Sequence, residues 1–272
     1  MTLEPLLIIE LATLGLAGGF LAGLLGIGGG MVLVPFITAI ITSRGVDPSL
    51  AVKMAIATSM ATIVFTSLSS VRAHHQRGAV RWDIVRQIAP GIVIGGFIAS
   101  MGVFAVLKGS WLALVFAAFV GFSASQMLRD RKPKPSRSLP GPAGQVGAGT
   151  VIGFLSGLVG AGGGFVSVPY MTWCNVPIHN AVATSAALGF PIALANAIGF
   201  AISGQSAVGL PPSSLGYIYL PALAVIACAS VLMAPLGARA AHTLPVKTLK
   251  RVFAFVLFAL AGYMLYKGIS SL

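Results

Sequence analysis

A thirteen-residue segment occurs twice in this chain, at positions where its glycines should interrupt a helix. The copies read GLLGIGGGMVLVP (residues 23–35) and GLVGAGGGFVSVP (residues 157–169), and they are identical at nine positions. Each lies in a strongly apolar stretch, although glycine is a poor residue for a helix interior. The repeat therefore predicts that a helix stops at the same place in each half of the chain. Paired breaks of this kind are typical of transporters built from repeats around a central site.

The composition of the chain is that of a polytopic membrane protein. Of the 272 residues, 57% are hydrophobic and 8% are charged, and the mean hydropathy is +0.96; soluble domains carry about 25% charged residues. The net charge of +12 comes from 17 Lys and Arg residues against five acids. In a membrane protein such an excess indicates loop residues that set orientation. We therefore expect an all-α protein whose partner is the lipid bilayer and not a nucleic acid.

Apolar runs divide the chain into two halves of five membrane segments each. A spanning helix needs about 20 residues, so the short runs after the glycines are expected to be half-helices or the return arms of hairpins. This predicts about eight full spans plus short re-entrant helices. The predicted units are an N-terminal membrane repeat (1–128), a basic linker (129–145) and a C-terminal membrane repeat (146–272). The runs are residues 6–25, 31–41, 50–71, 84–107 and 111–128, then 146–159, 165–173, 181–202, 215–236 and 249–266.

The positive charges discriminate between two topologies. If each glycine break joins a helix going in to a shorter helix coming back, thirteen Lys and Arg residues face the cytoplasm and four face outside. If each pair is a single broken crossing, the better orientation gives ten inside and seven outside. The positive-inside rule favours the first scheme. An odd number of crossings per half makes the two repeats inverted, with both termini outside the cell membrane and the basic linker in the cytoplasm.

The glycine clusters are candidate anion sites. A helix that begins after each break exposes backbone N–H groups and a partial positive charge, which suit an anion. The alternative is that the glycines only allow a tight turn or close helix packing. The candidate ligands are Gly28, Gly29 and Gly30 in the first break and Gly162, Gly163 and Gly164 in the second.

A second repeated element places hydroxyl groups after each break. AIATSMA (residues 55–61) and AVATSAA (181–187) match at five of seven positions and offer Thr58, Ser59, Thr184 and Ser185 as ligands. The alternative is that these hydroxyls bond back to their own helix. Asn196 lies deep in an apolar run and needs a partner, either a ligand or another helix. The spacing from proline to the Ala-Thr-Ser element is eight residues longer in the first half, which indicates a longer connection near residues 43–48.

Groups suited to catalysis or metal binding do not form a recognisable pattern. Glu10 is the one acid within a predicted span, and it lies near the outer end, where it can reach water. The four histidines fall at predicted segment ends, which favours an interfacial position. We therefore expect no enzyme activity, no cofactor and no metal site.

The duplicated G-x-G-G-G-x-x-x-V-P element, each copy followed by Ala-Thr-Ser, resembles the TauE/SafE family of sulfite exporters. The resemblance identifies Gly26, Pro35, Gly160 and Pro169 as motif residues, together with the glycines between them. It implies a secondary transporter that exports a small sulfur-containing anion, such as sulfite, sulfoacetate or a related organosulfonate, by alternating access. Import or uniport of another small solute or ion is the alternative. Homodimers are common among transporters, so a homodimer is one option.

Overall fold

A computed structural model describes residues 4–25, 29–129, 137–240 and 246–272. Within these residues the protein consists of ten helices, five in each half, and a hairpin of two-residue strands, β1 (Ser214–Leu215) and β2 (Ile218–Tyr219). The first half contains α1 (Pro5–Leu25), α2 (Gly30–Ser43), α3 (Pro48–Gln76), α4 (Trp82–Val106) and α5 (Gly109–Arg129). The second half contains α6 (Pro142–Val159), α7 (Gly164–Trp173), α8 (Ile178–Ser203), α9 (Leu220–Ala240) and α10 (Val246–Ser270).

Eight of these helices are long and apolar enough to cross a membrane within the described part of the chain. The two exceptions are α2 and α7, with fourteen and ten residues, and both begin at a glycine cluster. The prediction of an all-α polytopic membrane protein is therefore confirmed. Helix α4 contains a π-helical stretch at Ile98–Val103, where backbone hydrogen bonds span five residues instead of four.

Helices α1 and α2 form an antiparallel hairpin. Arg44, directly after α2, makes an ion pair of 2.9 Å with Glu10 near the start of α1. Between these ends, Gly18 on α1 lies against the side chain of Leu33 on α2. Because α2 returns to the level of Glu10, the chain follows the in-and-back path that the charge distribution favours.

Contacts near the ends of the helices define two ends of the helix bundle. At one end, Lys53 Nζ donates to the Ala105 carbonyl at 3.2 Å and Gly109 N donates to Ser49 Oγ at 2.7 Å. We call this the four-cation end, because the cations placed there are Arg44, Lys53, Lys108 and Lys267. At the other end, Asn180 Nδ2 donates to the Ala79 carbonyl at 2.9 Å, and Arg137 lies 4.6 Å from the ring centre of Trp173. We call this the basic end, because Arg86, Arg129 and the arginines of the connection between α3 and α4 lie there.

The two halves use one packing pattern twice. Helix α1, the first helix of the first half, packs along α9. Helix α6, the first helix of the second half, packs along α4. In both interfaces glycines let one helix approach the backbone of the other, so that an added Cβ would collide with a backbone carbonyl. Equivalent glycines meet equivalent residues: Gly15 meets Ile226 as Gly149 meets Ile88, and Gly19 meets Ser230 as Gly153 meets Ile92. Close approach at small residues is the usual basis of helix association in membranes.

The first half has eight more residues than the second between the motif proline and the Ala-Thr-Ser element, and these residues are helical. The loops after α2 and α7 have four residues each, at 44–47 and 174–177. Helix α2 is instead four residues longer than α7, and Thr58 follows the start of α3 by ten residues where Thr184 follows the start of α8 by six. The prediction of a longer loop is therefore wrong, because the additional residues are helical. Each helix of the α2–α3 pair gains four residues, which is about one turn of an α-helix.

Replacement of Gly153 by Ala should destabilise the protein by about 1–3 kcal/mol, because the added methyl overpacks the interface with α4. Gly147→Ala on the same helix is the matched control, since a Cβ there meets nothing within 4 Å, and alanine is the better helix former. Thermal unfolding of the detergent-solubilised protein measures both. Equal midpoints for the two variants would contradict the close packing.

Candidate functional site

The two glycine breaks are in contact at the centre of the bundle. Ser59 Oγ on α3 donates to the Gly160 carbonyl at 3.2 Å. Gly30, at the start of α2, packs against the same carbonyl, and an added Cβ would also lie 3.1 Å from Ser59 Oγ. Gly160 itself has a left-handed backbone with φ of 71°, a conformation that favours glycine. Gly26 and Gly28 lie outside the described residues.

Each short helix starts from a left-handed glycine. Gly29 precedes α2 with φ of 68°, and Gly163 precedes α7 with φ of 78°. The carbonyl of each accepts hydrogen bonds from the third and fourth residues that follow, at 2.9–3.2 Å. The helices thus begin at Gly30 and Gly164, whose N–H groups have no carbonyl one turn earlier within the same helix. A site role for these glycines stays a prediction.

The two motif prolines lie inside the short helices. Pro35 on α2 is buried, whereas Pro169 on α7 is exposed. Proline has no N–H, so each one leaves the carbonyl four residues earlier without its usual helical partner. That carbonyl belongs to Met31 in α2 and to Phe165 in α7, in the first turn after the break.

Thr58 and Thr184 connect the two halves in the same way. Thr58 Oγ1 accepts from the Tyr219 N–H, and Thr184 Oγ1 accepts from the Arg81 N–H, both at 3.0 Å. The donors stand directly before α9 and α4, respectively, and both threonines are fully buried. Neither hydroxyl bonds back to its own helix, so the bond that each makes holds the start of a helix from the other half.

Ser185 and Ser167 form a hydroxyl pair beside the second break. Their Oγ atoms are 2.7 Å apart, and Ser167 Oγ is also 3.0 Å from the Gly163 carbonyl to which it donates. Both side chains are almost completely buried. Ser185 also faces a cavity, which brings it together with Gly162.

This central cavity lies between α1, α3, α8 and α9 and has a volume of about 30 Å³, enough for one or two water molecules. No charged side chain lines it among the described residues. The three hydroxyls that α3 adds to it were not predicted, although their spacing on one helical face of the apolar run is a signal that sequence can give. The lining residues are Ala22, Gly23, Ile63, Thr66, Ser67, Ser70, Gly162, Ser185, Ala186, Gly189 and Ala234.

The lining of the cavity becomes more exposed toward the basic end. Ser59, where the breaks meet, is fully buried, whereas Ser67 is 7% exposed and Ser70, one turn closer to the basic end, is half-buried. Gly23 on α1 is half-buried at the same rim. The contact between the breaks therefore forms the floor of the cavity.

Asn196 lies outside this cavity, on the side of the four-cation end. Its side chain is fully buried between Gly96 on α4 and Gly157 on α6. Nδ2 donates to the Ile192 carbonyl at 2.8 Å, while Oδ1 has no hydrogen-bond partner among the described residues. These contacts are those of the predicted packing role, and the predicted ligand role of Asn196 stays a prediction.

Charged groups stand at the ends of the bundle. At the basic end, the hydrogen bonds that the Arg81 guanidinium donates to the Asp83 carboxylate raise the pKa of Arg81, and the two side chains form an exposed ion pair at 2.6 Å. His75 Nδ1 accepts from Trp82 Nε1 at 3.2 Å near the same surface. Within the described ranges, no three His, Cys, Asp or Glu side chains are grouped as a metal site would require.

Comparison with known families decides the identity of the fold. The model of the family described as "Sulfite exporter TauE/SafE" matches residues 11–264, which cover both breaks and the cavity. The chain belongs to the TauE/SafE family. The resemblance carried by the duplicated glycine motif is thereby confirmed.

Relatives of this TauE/SafE protein match it over nearly its whole length. A probable membrane transporter protein of Haemophilus influenzae is 38% identical over 93% of this chain and 96% of its own. The probable membrane transporter protein YunE of Bacillus subtilis is 28% identical over 97% of this chain and 99% of its own. A probable membrane transporter protein of Methanocaldococcus jannaschii is 26% identical over 97% of this chain and 96% of its own. No solved structure matches the chain. The protein is thus a membrane transporter of this family.

Replacement of Thr58 by Val should destabilise the protein by about 1–3 kcal/mol, because the buried backbone N–H of Tyr219 loses its acceptor. Replacement of Thr184 by Val should cost less, about 0.5–1.5 kcal/mol, because Arg81, whose N–H loses its acceptor, is exposed to water. Replacement by Ser keeps the hydroxyl and should retain most of the stability. Thermal unfolding compares the four variants, and a Val variant as stable as its Ser counterpart would contradict the cross-half bond.

Proposed function

We propose that the protein is a secondary transporter that exports a small sulfur-containing anion, sulfite or an organosulfonate, by alternating access. The observation that carries this proposal is the uncharged, hydroxyl-lined cavity beside the two contacting glycine breaks. The family description, which names a sulfite exporter, supports the substrate class.

The chemistry of the cavity suits transient binding of an oxyanion, and the cavity, which has room for one or two water molecules, must widen to admit sulfite or a sulfonate. Ser185 and the hydroxyls of α3 can donate hydrogen bonds, and the first turn of α7 adds backbone N–H groups beside Gly162. Ser67 Oγ donates to the Val64 carbonyl at 3.0 Å, a bond that rotation about χ1 can exchange for one to a ligand. Because the described lining holds no lysine or arginine, binding relies on dipoles, and release does not require an ion pair to break.

We further propose that the halves are inverted repeats and that the basic end faces the cytoplasm of a cell whose plasma membrane the protein crosses. The exchange of equivalent contacts between halves supports the repeats. The concentration of arginines supports the orientation through the positive-inside rule. In this orientation both termini lie outside, and the cavity is open to the cytoplasm, where an exporter must load its substrate.

Replacement of Ser67 or Ser185 by Ala should weaken apparent substrate affinity roughly 2- to 10-fold, because one hydrogen bond contributes about 0.5–1.5 kcal/mol. Ser123→Ala on α5 is the matched control, since Ser123 Oγ bonds to its own helix away from the cavity. The measurement is flux of labelled sulfite, sulfoacetate and isethionate-type sulfonates in proteoliposomes of known orientation.

Each result of this experiment bears on a different part of the proposal. Absence of saturable flux of any such anion would refute the substrate class. Saturable flux that runs only into the cytoplasmic side would replace export with import. Equal affinities for the Ser185→Ala, Ser67→Ala and Ser123→Ala variants would remove the cavity from the binding site.

A further inference from the structure

The residues that line the cavity have counterparts in the opposite half. Gly23 and Gly157 occupy the same position of the thirteen-residue repeat, and Thr58 and Thr184 fix the correspondence of α3 with α8. Arg81 and Tyr219, which donate to those two threonines, fix the correspondence of α4 with α9. On this basis the cavity residues Ala22, Gly23, Ser70 and Ala234 correspond to Ser156, Gly157, Asn196 and Gly96.

In the second set the equivalent space is filled. Asn196 is fully buried, whereas its counterpart Ser70 is half-buried at the cavity rim. A Cβ on Gly157 would collide with Asn196 Oδ1, and a Cβ on Gly96 would lie 3.0 Å from Asn196 Nδ2. The asparagine side chain thus occupies the position where the other half has an opening.

Two buried polar atoms in this closed region have no hydrogen-bond partner among the described residues. They are Asn196 Oδ1 and Ser156 Oγ, on side chains that are 0% and 2% exposed. A buried polar group without a partner destabilises the folded state, and such groups are few in native structures. Both atoms would gain partners if the region opened to water or to a ligand.

We propose that these residues form the second, closed half of the transport site, with Asn196 as its plug. In the reverse state, the four-cation end opens, Asn196 leaves the space between Gly96 and Gly157, and the substrate faces Asn196 and Ser156 instead of the α3 hydroxyls. The Ser156 hydroxyl and the second N–H of Asn196 donate to a small oxyanion, and Oδ1 accepts from water or from a protonated anion. This inference rests on the proposed transport function.

Between the plug and the four-cation end lie a π-helical stretch of α4 and a pair of aromatic side chains. The π-helical stretch of α4 lies beside the plug, with Ala99 against Gly157 and Ser100 against Gly199. π-Helical turns are frequent at functional sites. One turn beyond Asn196, Phe200 packs against Phe104 in a tilted arrangement with ring centres 4.3 Å apart. Lys53 Nζ lies 5.7 Å from the Phe104 ring centre. Lys53 is therefore placed to meet an anion that leaves past the plug.

Accessibility of single cysteines tests the plug, in a chain whose Cys174 and Cys228 are replaced by Ala. A membrane-impermeant thiol reagent should label the Ser70→Cys variant from the basic end and the Ser156→Cys variant only from the four-cation end. Because a minor conformation is commonly populated at about 0.1–10%, we expect Ser156→Cys to react roughly 10- to 1000-fold more slowly. Adding Asn196→Ala should accelerate its labelling, since the plug is gone.

The same variants are assayed for flux of sulfite and sulfonates, so that two failures can be told apart. Protection of Ser156→Cys from both ends, with normal flux and with labelling of Ser70→Cys, would overturn the plug and leave the transport function standing. The predicted labelling without flux of any tested anion would contradict the substrate and support the plug. If Ser156→Cys does not fold, Ala99→Cys reports on the same closed space, and its protection in the presence of Asn196→Ala would equally overturn the plug.

Discussion

The contact between the two glycine breaks is the interaction on which the rest of the structure depends. Gly30 packs against the Gly160 carbonyl, and Ser59 donates to that same oxygen. This contact holds the start of α2 against the end of α6 at the centre of the bundle and forms the floor of the cavity. Irregular backbone at membrane depth is tolerated only where protein or a water-filled space surrounds it, and each break meets this condition by packing on the other.

Around this centre the protein is assembled by exchange between its halves. Helix α1 packs on α9 as α6 packs on α4, and in each interface glycines allow contact with a neighbouring backbone. Lipid provides no hydrophobic force for such association, so packing at small residues and hydrogen bonds across helices must supply it. The reciprocal bonds of Thr58 and Thr184 are examples of the second contribution. In the mechanism that we propose, the cavity and the region filled by Asn196 are the open and the closed state of equivalent parts of the two halves.

The sequence was sufficient for the class of fold and for the place of the breaks. Apolar length and glycine content depend on local physics, so the eight spans and the short helices α2 and α7 could be predicted from them. The roles of Thr58 and Thr184 could not be predicted in this way, because their hydrogen-bond partners lie in the other half of the chain. Thr58 was offered as a ligand and holds a distant N–H, while Ser67 and Ser70 were overlooked although they line the cavity. The additional residues of the first half lengthen α2 and α3 instead of the loop between them. No glycine or proline ends α2 before Ser43 or delays the start of α3 beyond Pro48.

The Gly30→Ala variant tests the central contact most directly, by substrate flux in proteoliposomes. The added methyl would meet the Gly160 carbonyl and Ser59 Oγ, so the account predicts that flux falls to the background while the protein still inserts and folds. Gly121→Ala on α5, where a Cβ meets nothing within 4 Å, should transport normally. Normal flux in the Gly30→Ala variant would contradict the claim that the site is built on the meeting of the two breaks.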